Sequence, residues 1–322
     1  MATLLQVTGL EKHFAVHRGF WQGERSRLRA VDGITFHLDR RQTLGLVGES
    51  GCGKTTTARS IVRLIEPTAG NVHFGGVDLG RCNAGELRRI RPKMQMIFQD
   101  PYASLDPRMS VGRSVAEPLL EHTDLTRTER REAVERLFDT VGLQPSLVGR
   151  SPHEFSGGQR QRIGIARALA LKPDLVVCDE PISALDVSIQ AQIVNLLEEV
   201  QDQFGLSYLF ISHDLRMVRH LSDRVAVMYL GKIAEIGDAA ELFSRPQHPY
   251  TRALWEAVYD LGSGGSPSRP ARALSTQPGS SAVPATGCRF SARCPYAESR
   301  CHEVEPLLRS IDADHEVACH LV

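Results

Sequence analysis

The octapeptide Gly48-Glu49-Ser50-Gly51-Cys52-Gly53-Lys54-Thr55 constrains this chain more than any other stretch. It has the form G-x-x-x-x-G-K-[ST], in which glycines let the backbone curl with its N–H groups turned toward phosphate oxygens. Lys54 supplies a point charge for the β- and γ-phosphates, and the Thr55 hydroxyl, followed by Thr56, is placed to bind Mg²⁺. An apolar run, Thr43-Leu44-Gly45-Leu46-Val47, precedes the loop, and a helix-competent run over 56–64 follows it. Strand, loop and helix are the setting this motif requires, because the helix N-terminus adds its dipole to the phosphate site.

Two later stretches carry matching chemistry. Leu175-Val176-Val177-Cys178 is a short apolar run that reads as a buried parallel strand. It ends in Asp179-Glu180: the first carboxylate is placed to partner Mg²⁺, and the second points the other way, where it can polarise a water. Ser156-Gly157-Gly158-Gln159 opens a helix to about residue 171, with Ser156 as N-cap and two glycines leaving backbone amides bare for an anion. A third apolar strand, Leu209-Phe210-Ile211-Ser212, leads to His213, and Met94-Gln95-Met96-Ile97-Phe98 leads to Gln99.

Around these lie an alternating edge strand over 4–10, a polar loop over 17–29 containing Phe20 and Trp21, and a second strand over 30–38. Residues 110–148 have helical spacing, with Val115, Leu119, Leu120, Val134, Leu137, Phe138 and Val141 as the apolar stripe. A final hairpin turns at Gly231, and from 260 to 286 the chain is rich in Gly, Ser, Pro and Ala, as a linker is. The expected division is a 1–259 ATPase domain with a helical subdomain over about 100–170, the linker, and a cysteine-rich region over 287–322.

The chain of 322 residues has a formal net charge of zero and therefore lacks the basic excess of a nucleic-acid binder. No apolar stretch is long enough to cross a bilayer, and the first residues lack the pattern of a signal peptide, so a cytosolic location is expected. Cys178 reads as a small buried hydrophobe. Cys52, at a helix N-terminus beside Lys54, is expected to be thiolate-prone, readily alkylated and protected by ATP.

In order, Gly48 to Thr55, Gln99, Ser156-Gly157-Gly158-Gln159, Asp179-Glu180, Asp186 and His213 resemble the ATP-binding subunit of ABC transporters. The resemblance implies an α/β fold: a P-loop ATPase core with a parallel sheet, an antiparallel β subdomain and a helical subdomain. It implies that Phe14 stacks on adenine, and that Gln99 helps hold Mg²⁺ and the attacking water. Asp179 would bind Mg²⁺, Glu180 would act as general base, His213 would contact the γ-phosphate, and Asp186 would shape a dimer contact. The Ser156 signature would cap ATP held by a second ATPase subunit, identical or paralogous.

Two further stretches narrow the family. The segment Gln99-Asp100-Pro101-Tyr102-Ala103-Ser104-Leu105-Asp106-Pro107-Arg108 and the tail His248-Pro249-Tyr250 resemble oligopeptide/dipeptide importer ATPases, most closely the F-type subunit of dipeptide permeases. Members act with two membrane permease subunits and an extracytoplasmic substrate-binding protein, at the cytoplasmic face of the inner membrane, and do not bind nucleic acid. The same branch includes nickel and glutathione importers. A reading of another class is a non-transport ABC-type ATPase acting on the ribosome or DNA.

Cys288, Cys294, Cys301 and Cys319 are spaced C-x5-C-x6-C-x17-C, unlike the tight pairs of a zinc ribbon. By count, four thiolates suit a [4Fe–4S] cluster or Zn²⁺, with a metal-free tail as the remaining reading. The resemblance favours the cluster, because some relatives carry one in this region. His302, His315 and His320 are nearby candidates for a mixed site.

Overall fold

The computed structural model describes residues 2–17, 25–100, 102, 104–183, 185–263, 286–312 and 314–322. Phe20, Trp21, Pro101, Ala103 and most of the expected linker lie outside these residues. In chain order come β1 (Thr3–His17), β2 (Arg25–Asp39), β3 (Thr43–Val47), α1 (Lys54–Ile61), β4 (Ala69–Phe74), β5 (Val77–Asp78), α2 (Ala84–Ile90) and β6 (Met94–Ile97). Then follow α3 (Val111–His122), α4 (Arg127–Thr140), α5 (Gly157–Leu169), β7 (Leu175–Asp179), α6 (Val187–Phe204), β8 (Ser207–Ile211) and α7 (Leu215–Leu221). The remainder holds β9 (Arg224–Tyr229), β10 (Lys232–Asp238), α8 (Ala239–Ser244), α9 (Pro249–Ser263), α10 (Ser299–Glu303), β11 (Arg309–Asp312) and β12 (His315–Val317). The chain divides into two compact units: Met1–Leu5, His37–Thr43 and His73–Met217 form one, and Gln6–Phe36, Leu44–Val72 and Val218–Val322 form the other.

In the first unit, β7 pairs in parallel with β6 on one side and β8 on the other, matching Ile97 to Cys178 and Asp179 to Ile211. Every residue of β7 and β8 is buried, as expected of strands flanked by neighbours and covered on both faces. Helices α3, α4 and α5 each start at a hydroxyl N-cap, Ser110, Thr126 and Ser156. In α4 and α5 this becomes a reciprocal capping box with Glu129 and Gln159, which satisfies amides that the helix itself leaves unpaired. Val115, Leu119, Val134, Phe138 and Val141 are buried as their spacing predicts, but Leu120 is 59% exposed. It stands one residue past Leu119 and so about 100° round the helix from the 111–115–119 stripe.

In the second unit, β3 runs parallel to β9, whereas β9–β10, β10–β12 and β12–β11 are antiparallel. The sheet is therefore mixed: β3 and β9 pair in parallel as the expected core does, and the expected hairpin at Gly231 continues it in antiparallel. The reversal begins at Leu230 and Gly231, both at positive φ, which gives the tight turn whose twist suits a hairpin. The tail then adds β12 beside β10. Helix α9, for which no expectation was formed, runs through Ser263, past the start expected for the linker. Among the described residues, no helix is long and apolar enough to cross a membrane.

Candidate nucleotide-binding and hydrolysis site

The phosphate loop joins β3 to α1 as its sequence predicts. Gly48, Gly51 and Gly53 have φ of 151°, 79° and 112°, a region closed in practice to side-chain-bearing residues. Packing reinforces the requirement: a Cβ on Gly48 would lie 2.1 Å from the Met228 carbonyl oxygen, and one on Gly53 2.1 Å from that of Ala30. Gly53 caps α1 without any side chain, so no side chain competes for the amides of the first turn. Lys54 is buried, and its Nζ donates to the carbonyls of Gly48 at 2.8 Å and Glu49 at 3.1 Å. An ammonium curled against its own loop is positioned for phosphate oxygens, and the cradle of glycines fits a nucleotide.

Cys52 departs from expectation. It is 3% exposed, and burial raises its thiol pKa despite the neighbouring Lys54 ammonium. Desolvation of the thiolate outweighs the lysine charge, so the thiol is not activated.

In the first unit, three candidate residues converge. Glu180 Oε2 accepts a hydrogen bond from Gln99 Nε2 at 2.9 Å and lies 3.4 Å from His213 Nδ1. Register explains the convergence: β6, β7 and β8 are neighbours in parallel, so their C-terminal ends deliver Gln99, Glu180 and His213 to the same edge. Glu180 itself has φ of 48°, left-handed for a branched-chain-free but bulky side chain, and its amide donates to the Ile211 carbonyl at 3.0 Å. Such a conformation costs on the order of 1–3 kcal/mol and persists where the surroundings fix it, as at catalytic sites. Asp179, one residue earlier, is fully buried at the end of β7.

At the signature, Ser156 Oγ accepts from the Gln159 amide and Gln159 Oε1 accepts from the Ser156 amide, at 3.3 and 3.0 Å. Gly157 and Gly158 open α5 itself, and a Cβ on Gly158 would lie 2.6 Å from Ile189 Cγ2. The glycine is thus also a packing requirement of α6. Asp186 caps α6 through its backbone only; its side chain is exposed, as is its neighbour Val187. Phe14 lies within β1 and not after it, half-buried, with the Lys12 ammonium 5.1 Å from its ring centroid.

Burial pushes the Cys288 thiol up to about 11, and the charges of Cys319, Cys301 and Cys294 add to the effect. The four thiols therefore share one neighbourhood. Among the described residues, however, no three of them have Sγ atoms within 4.8 Å of one another. Tetrahedral zinc, with Zn–S near 2.3 Å, needs sulfurs about 3.8 Å apart, so this arrangement does not fit zinc. His315 is not available to a mixed site, because its Nε2 pairs with buried Glu235 at 2.7 Å. Glu11, His13 and Asp32 do have ligand atoms that close together, but Asp32 is taken up by ion pairs with Arg289 and Arg29.

Sequence reasoning assigned no role to three groups that the second unit brings together. Tyr250 of the His-Pro-Tyr tail is fully buried, and its hydroxyl accepts from the Glu49 amide at 2.9 Å. Arg293 donates from both terminal nitrogens to the two Glu49 carboxylate oxygens, each at 2.9 Å. Glu235, fully buried, accepts from the amides of Gln247 and His248 and pairs with His315. The tail motif was the one available signal, and it identified the segment without its contacts.

One unit carries a glycine cradle with a buried lysine, and the other a glutamate gripped by glutamine and histidine at the ends of parallel strands; these are the two residue sets of a nucleotide-hydrolysing ATPase cassette. The ABC transporter family matches residues 31–183, and the family described as oligopeptide/dipeptide transporter, C-terminal region, matches 234–301. The oligopeptide transport ATP-binding protein AppF of Bacillus subtilis is 50% identical over 320 residues, 99% of this chain and 97% of that protein. The di/tripeptide transport ATP-binding protein DppF of Pseudomonas aeruginosa is 47% identical over 99% of this chain and 98% of its own length. The solved dimer of the ATP-binding cassette MJ0796 bound to ADP and Pi has a TM-score of 0.65 at 25% identity, covering 73% of this chain and 99% of that one. The chain belongs to the ABC transporter ATP-binding proteins, in the group that carries the oligopeptide/dipeptide transporter C-terminal region. Its fold is accordingly the ABC ATPase cassette, and membership implies that it binds and hydrolyses ATP with Mg²⁺.

Proposed function

We propose that the chain is the ATP-hydrolysing subunit that powers import of di- and oligopeptides through a membrane permease. The observation that carries the reading is the grip of Gln99 and His213 on Glu180, at 2.9 and 3.4 Å. A carboxylate held this way can orient a water and accept its proton as the water attacks the γ-phosphorus. Lys54 and the amides at the start of α1 hold the β- and γ-phosphates; Thr55, Gln99 and Asp179 are the residues that would hold Mg²⁺, which neutralises phosphate charge when bound. Phe14 would face the adenine. Membrane association would come through two permease subunits at the cytoplasmic face, with a separate substrate-binding protein choosing the cargo.

A second ATPase subunit, identical or paralogous, completes the reading: the signature at Ser156 would cap the nucleotide held by the other subunit. The exposed Asp186 and Val187 support a contact there. The domain division is 1–259 for the ATPase, 260–286 for the linker and 287–322 for the cysteine-rich region. For the latter, the resemblance favours a [4Fe–4S] cluster on Cys288, Cys294, Cys301 and Cys319, which supply four ligands by count. Anaerobic purification tests it: iron and sulfide in equal amounts are expected, and absence of both refutes the cluster.

The function is tested by uptake of a labelled dipeptide in cells carrying wild-type protein or Glu180→Gln. Uptake should collapse in the variant while MgATP binding persists. Unchanged uptake with an ATPase-dead purified variant would overturn the peptide cargo and turn the test to nickel and glutathione.

A further inference from the structure

We infer that Arg293, presented by the C-terminal loop over 288–301, is a positioning residue for the phosphate loop: it neutralises Glu49 and fixes the loop's first turn in the form that receives nucleotide. This rests on the reading of Gly48 to Thr55 as the ATP site. Glu49 is the second residue of that loop. A carboxylate there repels a polyphosphate unless a cation offsets it, and a buried site screens the repulsion poorly.

The offset is built with care. Arg293 meets Glu49 as two parallel N–H···O bonds of 2.9 Å, the arrangement that only a guanidinium can make. The side chains are 6% and 16% exposed. Burial works against a charged guanidinium, yet hydrogen bonds to Glu49 and Tyr229 outweigh it and raise the Arg293 pKa. Arg293 is thus committed to its charged form.

The backbone of Glu49 is held as well, through its amide to Tyr250 Oη. One residue is therefore fixed at main chain and side chain from two different segments of the tail. An aromatic cluster ties those segments together. The Phe290 ring lies 5.3 Å from Tyr229 and 5.5 Å from Tyr250, and the two tyrosines are 4.6 Å apart, centroid to centroid. The same loop is anchored on the other side by Arg289, buried against Asp32 and the Leu230 carbonyl. The next residue, Gly231, donates its amide to the carbonyl of Cys52 at 2.8 Å. The tail reaches the phosphate loop by two routes, and Arg293 supplies the charge in one of them.

The test is MgATP binding by the purified full chain, measured by calorimetry, with thermal stability recorded without nucleotide. Arg293→Ala should bind MgATP about tenfold more weakly, in line with loss of one partner of a buried charge pair. Arg293→Ala combined with Glu49→Gln should recover most of that loss, because the uncompensated charge is gone. Arg293→Lys, which keeps the charge and loses the fork, should fall between, roughly two- to fivefold weaker. In steady-state hydrolysis, KM for ATP should rise in the same order while kcat holds within about twofold. A purely structural tether would lower stability and leave the affinity of the folded protein unchanged. Arg293→Ala within twofold of wild type overturns the inference, as does a double variant no better than Arg293→Ala. If Arg293→Ala does not fold, Arg293→Lys decides, unchanged affinity counting against it. Wild-type protein whose MgATP binding is absent, or indifferent to Lys54→Ala, refutes the nucleotide site itself.

Discussion

Gln99 donates its side-chain amide to Glu180 Oε2 at 2.9 Å although 81 residues separate them, and His213 approaches the same oxygen. Both neighbours hold the carboxylate, so their loss should reach turnover before binding. We expect Gln99→Ala and His213→Ala each to lower kcat by roughly 10- to 100-fold, with KM for ATP within a few-fold of wild type. Steady-state ATPase assays check this, and a KM rise matching the kcat loss would contradict it.

Gly158 is tied to α6 as well as to the signature. Its added Cβ would lie 2.6 Å from Ile189 Cγ2, a branched side chain of α6, so Gly158→Ala must displace that side chain or its helix. The cost expected from such overpacking is ~1–3 kcal/mol. Denaturant melts of the nucleotide-free protein should show it, and an Ile189→Ala background, which makes room, should reduce it.

Histidines 248 and 315 flank the same buried carboxylate and respond to pH in opposite senses. Burial lowers the His248 pKa to about 4, against the pull of Glu235, and its Nδ1 accepts from the Tyr250 amide. The unfolded chain then binds the extra proton between pH ~6.5 and about 4, so this contribution is present above 6.5 and is lost as pH falls. At about 1.4 kcal/mol per tenfold change in proton affinity, the loss is roughly 3 kcal/mol. His315 is raised by its hydrogen bond to Glu235, so its contribution is present below ~6.5 and is lost as pH rises through its folded pKa. Urea melts across pH should show His248→Gln losing less stability than wild type between pH 7 and 4.

Much of the hydrolysis site was legible because its parts are local. The phosphate loop, the capping box at Ser156 and the apolar strands ending at Gln99, Glu180 and His213 are each written within about ten residues. Gln99, Glu180 and His213 meet by one rule, that neighbouring parallel strands end at the same edge. What was not legible depends on distant pairing. Nothing in the sequence near Glu49 points to Arg293, 244 residues away, or to Tyr250. The further antiparallel strands beyond the expected hairpin escaped notice because β12 is a three-residue strand, too short for alternation to register. Leu120 was counted among the apolar stripe on composition, where one residue of rotation decides.

Cys52 illustrates how a local rule is overridden by burial. Helix N-terminus and adjacent ammonium both favour a thiolate, but the side chain is 3% exposed and its pKa is raised, first by desolvation. Its Sγ also lies 3.9 Å from Lys54 Nζ, whose bonds to the Gly48 and Glu49 carbonyls help close the loop over it. Iodoacetamide should therefore modify Cys52 in the folded, nucleotide-free protein at least about tenfold more slowly than in the denatured chain, because only the exposed thiolate reacts. Raising the pH from 7 to 9 should accelerate labelling by a larger factor than for a free cysteine, because a free thiol of pKa about 8.5 is already largely ionised at pH 9 whereas the raised pKa of Cys52 keeps it on the steep part of its titration. Peptide mapping after timed labelling reads both outcomes. Rapid modification at pH 7 would mean that the phosphate loop opens readily in the nucleotide-free protein, and protection by MgATP would then report loop closure and not the shielding of an activated thiol.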